Sequence, residues 1–153
     1  MKRLFDFIAS FFGLIILSPL FIIISFLIMF SDRRPVFFFQ QRIGKGGKLF
    51  RLYKFRSMRV PEFPEQRNFE LGDTSRVTPL GEFLRRSKLD ELPQLFNVIK
   101  GDMSLVGPRP EVQKWIAAYP ERWAKVLTVK PGITDNASIL FRNEEFLLAG
   151  SDD

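Results

Sequence analysis

Neither histidine nor cysteine occurs anywhere in this 153-residue chain. Their absence removes imidazole general bases, thiolate nucleophiles, disulfides and Cys/His zinc sites, and the missing cysteine fits a reducing compartment. Internal repeats and low-complexity tracts are absent too. The glycine-rich Gly44-Lys45-Gly46-Gly47-Lys48 lacks the spacing of a P-loop. An enzyme made from these residues has carboxylates, lysines, arginines, hydroxyls and a hard metal ion to work with, groups that suit phosphoryl chemistry. The formal charge of +6 points to anionic partners: phosphates, a lipid headgroup surface or nucleic acid. The length is that of one domain.

Residues 4–30 are almost unbroken Phe, Ile and Leu, with Asp6 the only charge. A helix of that length rises roughly 40 Å, ample for a hydrocarbon core of about 30 Å. Ser18-Pro19 interrupts it. Proline removes an i→i−4 bond and kinks a helix, and the serine hydroxyl can re-satisfy a freed carbonyl. The limbs 4–17 and 20–30 are each roughly 15–20 Å long, too short to cross alone. Lys2-Arg3 before the segment and Arg33-Arg34 after it favour keeping both ends cytoplasmic. The expectation is a re-entrant helix-break-helix over residues 1–31, broken at Ser18 and Pro19. A kinked single span is the competing arrangement. A signal peptide fits poorly, because Phe30-Ser31-Asp32-Arg33 offers no small-residue cleavage pattern.

Residues 36–41 and 49–55 read as aromatic-rich, partly alternating strands around the glycine turn, a β-hairpin. Arg42, Lys45, Lys48, Arg51, Lys54, Arg56 and Arg59 make this stretch strongly basic. A solvated face, a headgroup-binding face and a single-strand-binding face all fit that pattern, and the adjacent membrane segment favours headgroups. Pro61, Phe63, Pro64 and the polar stretch to Ser75 read as a loop.

Thr78-Pro79-Leu80 has the form of an N-cap followed by proline at the first helical position, so a short helix to about Arg86 is expected. Ser87-Lys88-Leu89-Asp90-Glu91-Leu92-Pro93-Gln94 follows. Proline belongs in a first turn, so a helix is expected to start close to Asp90-Glu91. Its free N–H groups would favour an ionised carboxylate together with a bound phosphate. Leu92, Leu95, Phe96 and Ile99 form its apolar stripe, and it ends near Gly101. In Gly107-Pro108-Arg109-Pro110 two prolines stiffen the backbone of Arg109, which reduces the entropy lost in fixing its side chain on a phosphate. Residues 111–118 and 121–127 read as helices, with Trp115 and Trp123 as packing or interfacial anchors, and Lys130-Pro131-Gly132-Ile133-Thr134 as a turn.

The order of pieces runs from the proline-broken apolar segment through Tyr53-Lys54-Phe55-Arg56-Ser57-Met58, Leu89-Asp90-Glu91-Leu92-Pro93-Gln94 and Gly107-Pro108-Arg109-Pro110 to Lys130-Pro131-Gly132-Ile133-Thr134. That order resembles the bacterial sugar transferases, the monotopic polyprenyl-phosphate phosphoglycosyl transferases, from about Lys2 to Thr134. The resemblance implies an α+β protein: the membrane hairpin, then a small, mainly helical cytoplasmic domain over residues 32–153 that carries the β-hairpin. It implies transfer of a sugar phosphate from a UDP-sugar to polyprenyl (undecaprenyl) phosphate with release of UMP. This is the first membrane step of surface glycan or glycoconjugate synthesis at the cytoplasmic face of the inner membrane.

By the same match Asp90 is the nucleophile that carries the phosphosugar and Glu91 its dyad partner, both beside Mg2+. Arg85, Arg109, Lys54 and Arg56 fall on the family's substrate-binding cations, and Pro108 and Pro110 frame Arg109. Expected partners are the UDP-sugar, the polyprenyl phosphate and membrane lipid, not nucleic acid, with a homo-oligomer left open. After Thr134 the family pattern gives way to Asp135-Asn136-Ala137-Ser138, and the chain stops at Asp153. The C-terminal part of the domain is therefore expected to be missing. An inactive membrane-associated interaction protein that keeps the fold is the alternative reading.

Overall fold

The computed structural model describes residues 1–32, 35–60 and 75–135. Arg33-Arg34, the expected loop at Pro61, Phe63 and Pro64, and the tail from Asn136 lie outside the described residues.

Helix α1 (Lys2–Asp32) passes through Pro19 without ending, which corrects the expected break at Ser18-Pro19. Pro19 has no N–H for the carbonyl of Ile15, and Ser18 Oγ donates to that oxygen at 2.7 Å. The carbonyl freed by the ring is therefore bonded, and the helix has no reason to stop. Asp6, Ser10, Ile24 and Ile28 are buried, with Leu20 and Phe21 packed beside the last two. This stripe keeps helical spacing on both sides of the proline. The remaining faces expose large apolar side chains, among them Phe5, Phe12, Ile16, Phe26 and Phe30. By length and composition α1 can cross a membrane.

Strands β1 (Phe37–Ile43) and β2 (Leu49–Phe55) form the expected antiparallel hairpin, with Phe38 opposite Lys54 and Arg42 opposite Phe50. Alternation sends Phe37 and Phe39 to one face and Phe38, Gln40 and Arg42 to the other. On the first face Phe37 stacks on Phe55, with centroids 5.3 Å apart. Phe55 joins Ile24, Ile28 and Leu84 in the core that holds α1. A second core of Leu52, Val98 and Met103 lies between the hairpin and the helix that follows the acidic pair.

Helix α2 (Pro79–Arg86) starts as expected, with Thr78 Oγ1 accepting from the Gly81 N–H at 2.9 Å. It lies so close to the exit of β2 that a Cβ on Gly81 would come within 1.9 Å of the Ser57 carbonyl oxygen. Only glycine fits there. Helix α3 (Gln94–Lys100) begins later than expected, behind a 3-10 turn at Leu89–Glu91. Glu91 N donates to Lys88 O at 3.2 Å, Leu92 N to Leu89 O at 3.3 Å and Phe96 N to Pro93 O at 3.1 Å. These i→i−3 bonds use N–H groups that an open first turn would have offered to a phosphate.

Strand β3 (Ser104–Val106), helices α4 (Gln113–Ala118) and α5 (Pro120–Val126), and strand β4 (Gly132–Thr134) complete the fold. The segment expected to be a simple turn at Lys130-Pro131-Gly132-Ile133-Thr134 therefore ends in a strand. It runs parallel to β3, with Ser104 paired to Gly132 and Val106 to Thr134. A Cβ on Gly132 would lie 2.1 Å from Gly107 N, so the pairing depends on glycine at that crossing. The class is mixed helix and strand, as expected.

The first turns of α1 grip this second half. Arg3 donates through Nη1 to Val98 O and through Nη2 to Ile99 O at 2.8 Å, placing a cation on the carbonyl end of α3. Lys2 Nζ reaches Val106 O at 2.8 Å. Asp6 accepts from Ser104 Oγ at 2.8 Å and from Leu105 N at 3.4 Å.

Candidate active site

Four elements bring the charged residues together. β2 supplies Lys54, with Arg56 just beyond it, and the last turn of α2 supplies Arg85. The 3-10 turn supplies Asp90 and Glu91, and the loop after β3 supplies Arg109. All six line one cleft of about 510 Å³. Pro108 and Pro110 frame Arg109 without lining that cleft. Asn97, absent from the sequence reading, is fully buried and ties α3 to β2. It donates to Arg51 O at 2.7 Å and accepts from Tyr53 N at 3.0 Å, which fixes Lys54 over the acidic turn.

The two carboxylates are both buried but differently engaged. Glu91 Oε1 takes Lys54 Nζ at 2.8 Å and Arg109 Nη2 at 3.3 Å. Among the described residues Lys54 alone comes within ion-pair distance of Asp90, 3.9 Å from Oδ2, and Asp90 Oδ1 is buried with no hydrogen-bond partner. Burial pushes Asp90 up to about 6, and the nearby Glu91 adds to the rise, against Lys54, Lys88 and Arg85. Burial acts on Glu91 in the same sense, but Lys54 and Arg109 outweigh it and hold Glu91 below the usual carboxylate range. One carboxylate is thus an anchored anion. The other is a high-energy group without a full set of partners.

Lys88 begins the acidic turn with φ 59. It is the one non-glycine residue with positive φ among the described residues, and such strain concentrates at functional sites. Lys88, Arg42, Gln40 and Phe38 also line the cleft, and the sequence reading did not place them there. The signal for the last three was the alternation Phe38, Gln40, Arg42, which puts all three on one face of a strand.

Among the described residues no three acidic, histidine or cysteine side chains cluster as a metal cage. A pair of carboxylates with one orphaned buried oxygen nevertheless suits magnesium, which is commonly held by one or two carboxylates plus substrate phosphates.

An apolar helix long enough for a bilayer is thus joined to a cationic cleft around an acidic pair. The chain belongs to the bacterial sugar transferase family, which it matches over residues 1–149. It is 40% identical over 159 residues to the undecaprenyl-phosphate galactose phosphotransferase of Salmonella typhimurium, covering 94% of this chain and 33% of that protein. With the putative undecaprenyl-phosphate N-acetylgalactosaminyl 1-phosphate transferase of Bacillus subtilis it shares 46% identity over 110 residues, 72% of this chain and 62% of that one. The exopolysaccharide production protein ExoY of Sinorhizobium fredii is 40% identical over 158 residues, 94% of this chain and 70% of that protein. The chain thus spans a third of the Salmonella protein and under two thirds of the Bacillus one.

Proposed function

We propose that this protein transfers a sugar 1-phosphate from a UDP-sugar to undecaprenyl phosphate and releases UMP, the first membrane step of surface glycan or glycoconjugate synthesis. The names of its relatives support the acceptor and the transferred group. The inequality of the carboxylates carries the reading: Glu91 is pinned by two cations, whereas Asp90 keeps an unpartnered oxygen beside the cleft.

Asp90 attacks the sugar-bearing phosphorus. An O–P bond to its carboxylate forms as the pyrophosphate O–P bond breaks, and UMP departs with the bonding pair. A phosphate oxygen of the undecaprenyl phosphate then attacks the same phosphorus. The bond to Asp90 breaks, which restores the carboxylate and leaves a sugar diphosphate on the lipid. UMP needs no strong acid to leave, in keeping with a chain that lacks histidine. Arg85, Arg56 and the exposed edge of Arg109 hold the non-bridging oxygens, and Lys54 keeps Glu91 anionic. Asp90 and Glu91 would hold Mg2+ with help from the donor phosphates, and the bound ion would neutralise pyrophosphate charge.

The same reading places the cleft at the cytoplasmic face of the inner membrane, with both ends of α1 on that side. Support comes from both ends of α1. Asp6 and Ile28 lie roughly 33 Å apart along a helix axis, a hydrocarbon thickness, yet Ser104 holds one and Phe55 and Leu84 pack on the other. A helix crossing the bilayer would put those residues on opposite sides.

The test is a panel of UDP-sugars supplied with undecaprenyl phosphate and magnesium. UMP and a lipid-linked sugar diphosphate are expected from at least one donor, with chelation stopping turnover and magnesium or manganese restoring it. Silence across the whole panel would leave the inactive interaction protein as the better account.

A further inference from the structure

We propose that Arg42 is a positioning residue: it braces the Pro108-Arg109-Pro110 loop so that Arg109 meets Glu91. Its guanidinium is mostly committed to protein. Nε and Nη2 both donate to Gln40 Oε1, at 3.2 and 2.8 Å. Nη1 donates to Pro110 O at 3.2 Å and to Glu111 Oε2 at 3.3 Å. A guanidinium has five N–H donors, so four bonds leave it little capacity for a phosphate. Its side chain is 19% exposed, and burial, together with the nearby Arg109, pushes its pKa down against the pull of Glu111.

Arg109 is the opposite case. Its side chain is 48% exposed and engages Glu91 through Nη2 alone. The difference assigns separate tasks to two cations that line the same cleft: Arg109 faces substrate, and Arg42 holds the loop that presents it.

The brace acts in two ways. The first is mechanical. Ile43 N donates to Glu111 O at 3.0 Å, so the end of β1 is bonded to the residues just after Arg109, and Arg42 adds the bond to Pro110 O. On the other flank Gly132 N donates to Pro108 O at 2.9 Å, and Asp135 accepts from Arg109 N at 3.1 Å. The second way is electrostatic. Glu111 holds the Arg42 guanidinium in place, and like-charge repulsion from Arg42 favours the turn of Arg109 toward Glu91.

The experiment compares Arg42→Gln and Glu111→Gln in the full chain in lipid nanodiscs, each alone, combined, and together with Arg109→Ala. The kinetic arm rests on the proposed transferase reading, and a second arm follows amide hydrogen exchange at Ile43 and Arg109. Each single variant is expected to lower kcat/KM for the nucleotide sugar on the order of 10- to 100-fold, the scale of a misplaced binding group. The KM for the lipid should stay unchanged. The double variant should be no worse than either single, and Arg109→Ala should cost much less once the brace is gone. Full activity in Glu111→Gln beside loss in Arg42→Gln would overturn the proposal and make Arg42 a direct phosphate ligand. Additive losses with Arg109→Ala would overturn it too. Should Arg42→Gln not fold, Glu111→Gln decides, because it breaks the same contact from the more exposed partner. If the unmodified protein turns over no donor, the transferase reading has failed and exchange decides the brace. Faster exchange at both amides in the variants supports it, and unchanged exchange overturns it.

Discussion

The ammonium of Lys54 is bonded to Glu91, 2.8 Å from Oε1. Removing that ammonium leaves a buried carboxylate with Arg109 as its one remaining ion-pair partner among the described residues. Lys54→Met is expected to destabilise the fold by about 3 kcal/mol, the scale for breaking a buried ion pair from one side. Adding Glu91→Gln should recover part of the loss. Urea unfolding midpoints of the two variants give the answer, and a Lys54→Met protein as stable as the parent would remove this role from Lys54.

The asymmetry of the acidic pair makes the chemistry separable from lipid binding. Mixed with UDP-sugar alone, the protein should release UMP up to one equivalent and carry a sugar phosphate on the peptide containing Asp90, labile to hydroxylamine. Asp90→Asn should abolish burst and adduct and lower turnover at least about 10⁴-fold, as expected when a nucleophile is lost. Glu91→Gln should cost on the order of 10²- to 10³-fold through weakened electrostatics. Mass spectrometry of the trapped peptide locates the adduct. Finding it on Glu91 would reverse the two roles, and a burst that needs the lipid would point to direct attack by the acceptor.

Asp90 must be ionised to attack, and burial raises it to about 6. Without metal, Asp90 should therefore titrate with a midpoint near 6 by carboxyl NMR, and magnesium held by the acidic pair should lower that midpoint. The same shift affects stability with a definite sign. The folded group holds its proton more tightly than the unfolded one, whose value is about 3.9. Its contribution to stability is therefore fully present below about pH 4 and declines as pH rises to 6. Asp90→Asn should flatten that decline in unfolding free energy measured from pH 4 to 7. A parent and variant with parallel curves would argue against the raised value.

Topology is accessible because the chain has no cysteine of its own. Single cysteines placed at Lys2 and Arg34 should both be shielded from an impermeant periplasmic reagent. Labelling at position 2 alone would mean a spanning helix.

Some of this was readable from local chemistry. Thr78-Pro79 announces the start of α2, and Gly44–Lys48 the bend of the hairpin, because capping and turn preferences act over a few residues. Motif order was enough to gather Lys54, Arg56, Arg85, Asp90, Glu91 and Arg109. What escaped depends on distant partners or on small energy differences. Arg42 looked like one more surface cation because its partner Pro110 lies 68 residues away. The start of α3 was misplaced because 3-10 and α turns compete over a single hydrogen-bond register beside Pro93. Strand β4 has three residues and no apolar alternation, and its partner strand alone defines it. At Pro19 the break was expected from the ring, whereas the hydroxyl of the preceding residue sufficed for continuity.

The bond between Asp6 and Ser104 spans 98 residues of sequence, and this imposes an order on biosynthesis. The apolar helix leaves the ribosome first, whereas the strand that satisfies its aspartate is made roughly 5–20 seconds later at bacterial elongation rates. During that interval Asp6 must stay in contact with water, because burying it without its partner is costly. Docking of the helix end is thus a late event in maturation. A nascent chain halted before Ser104 would hold its first turns loosely, and translation past β3 would fasten them.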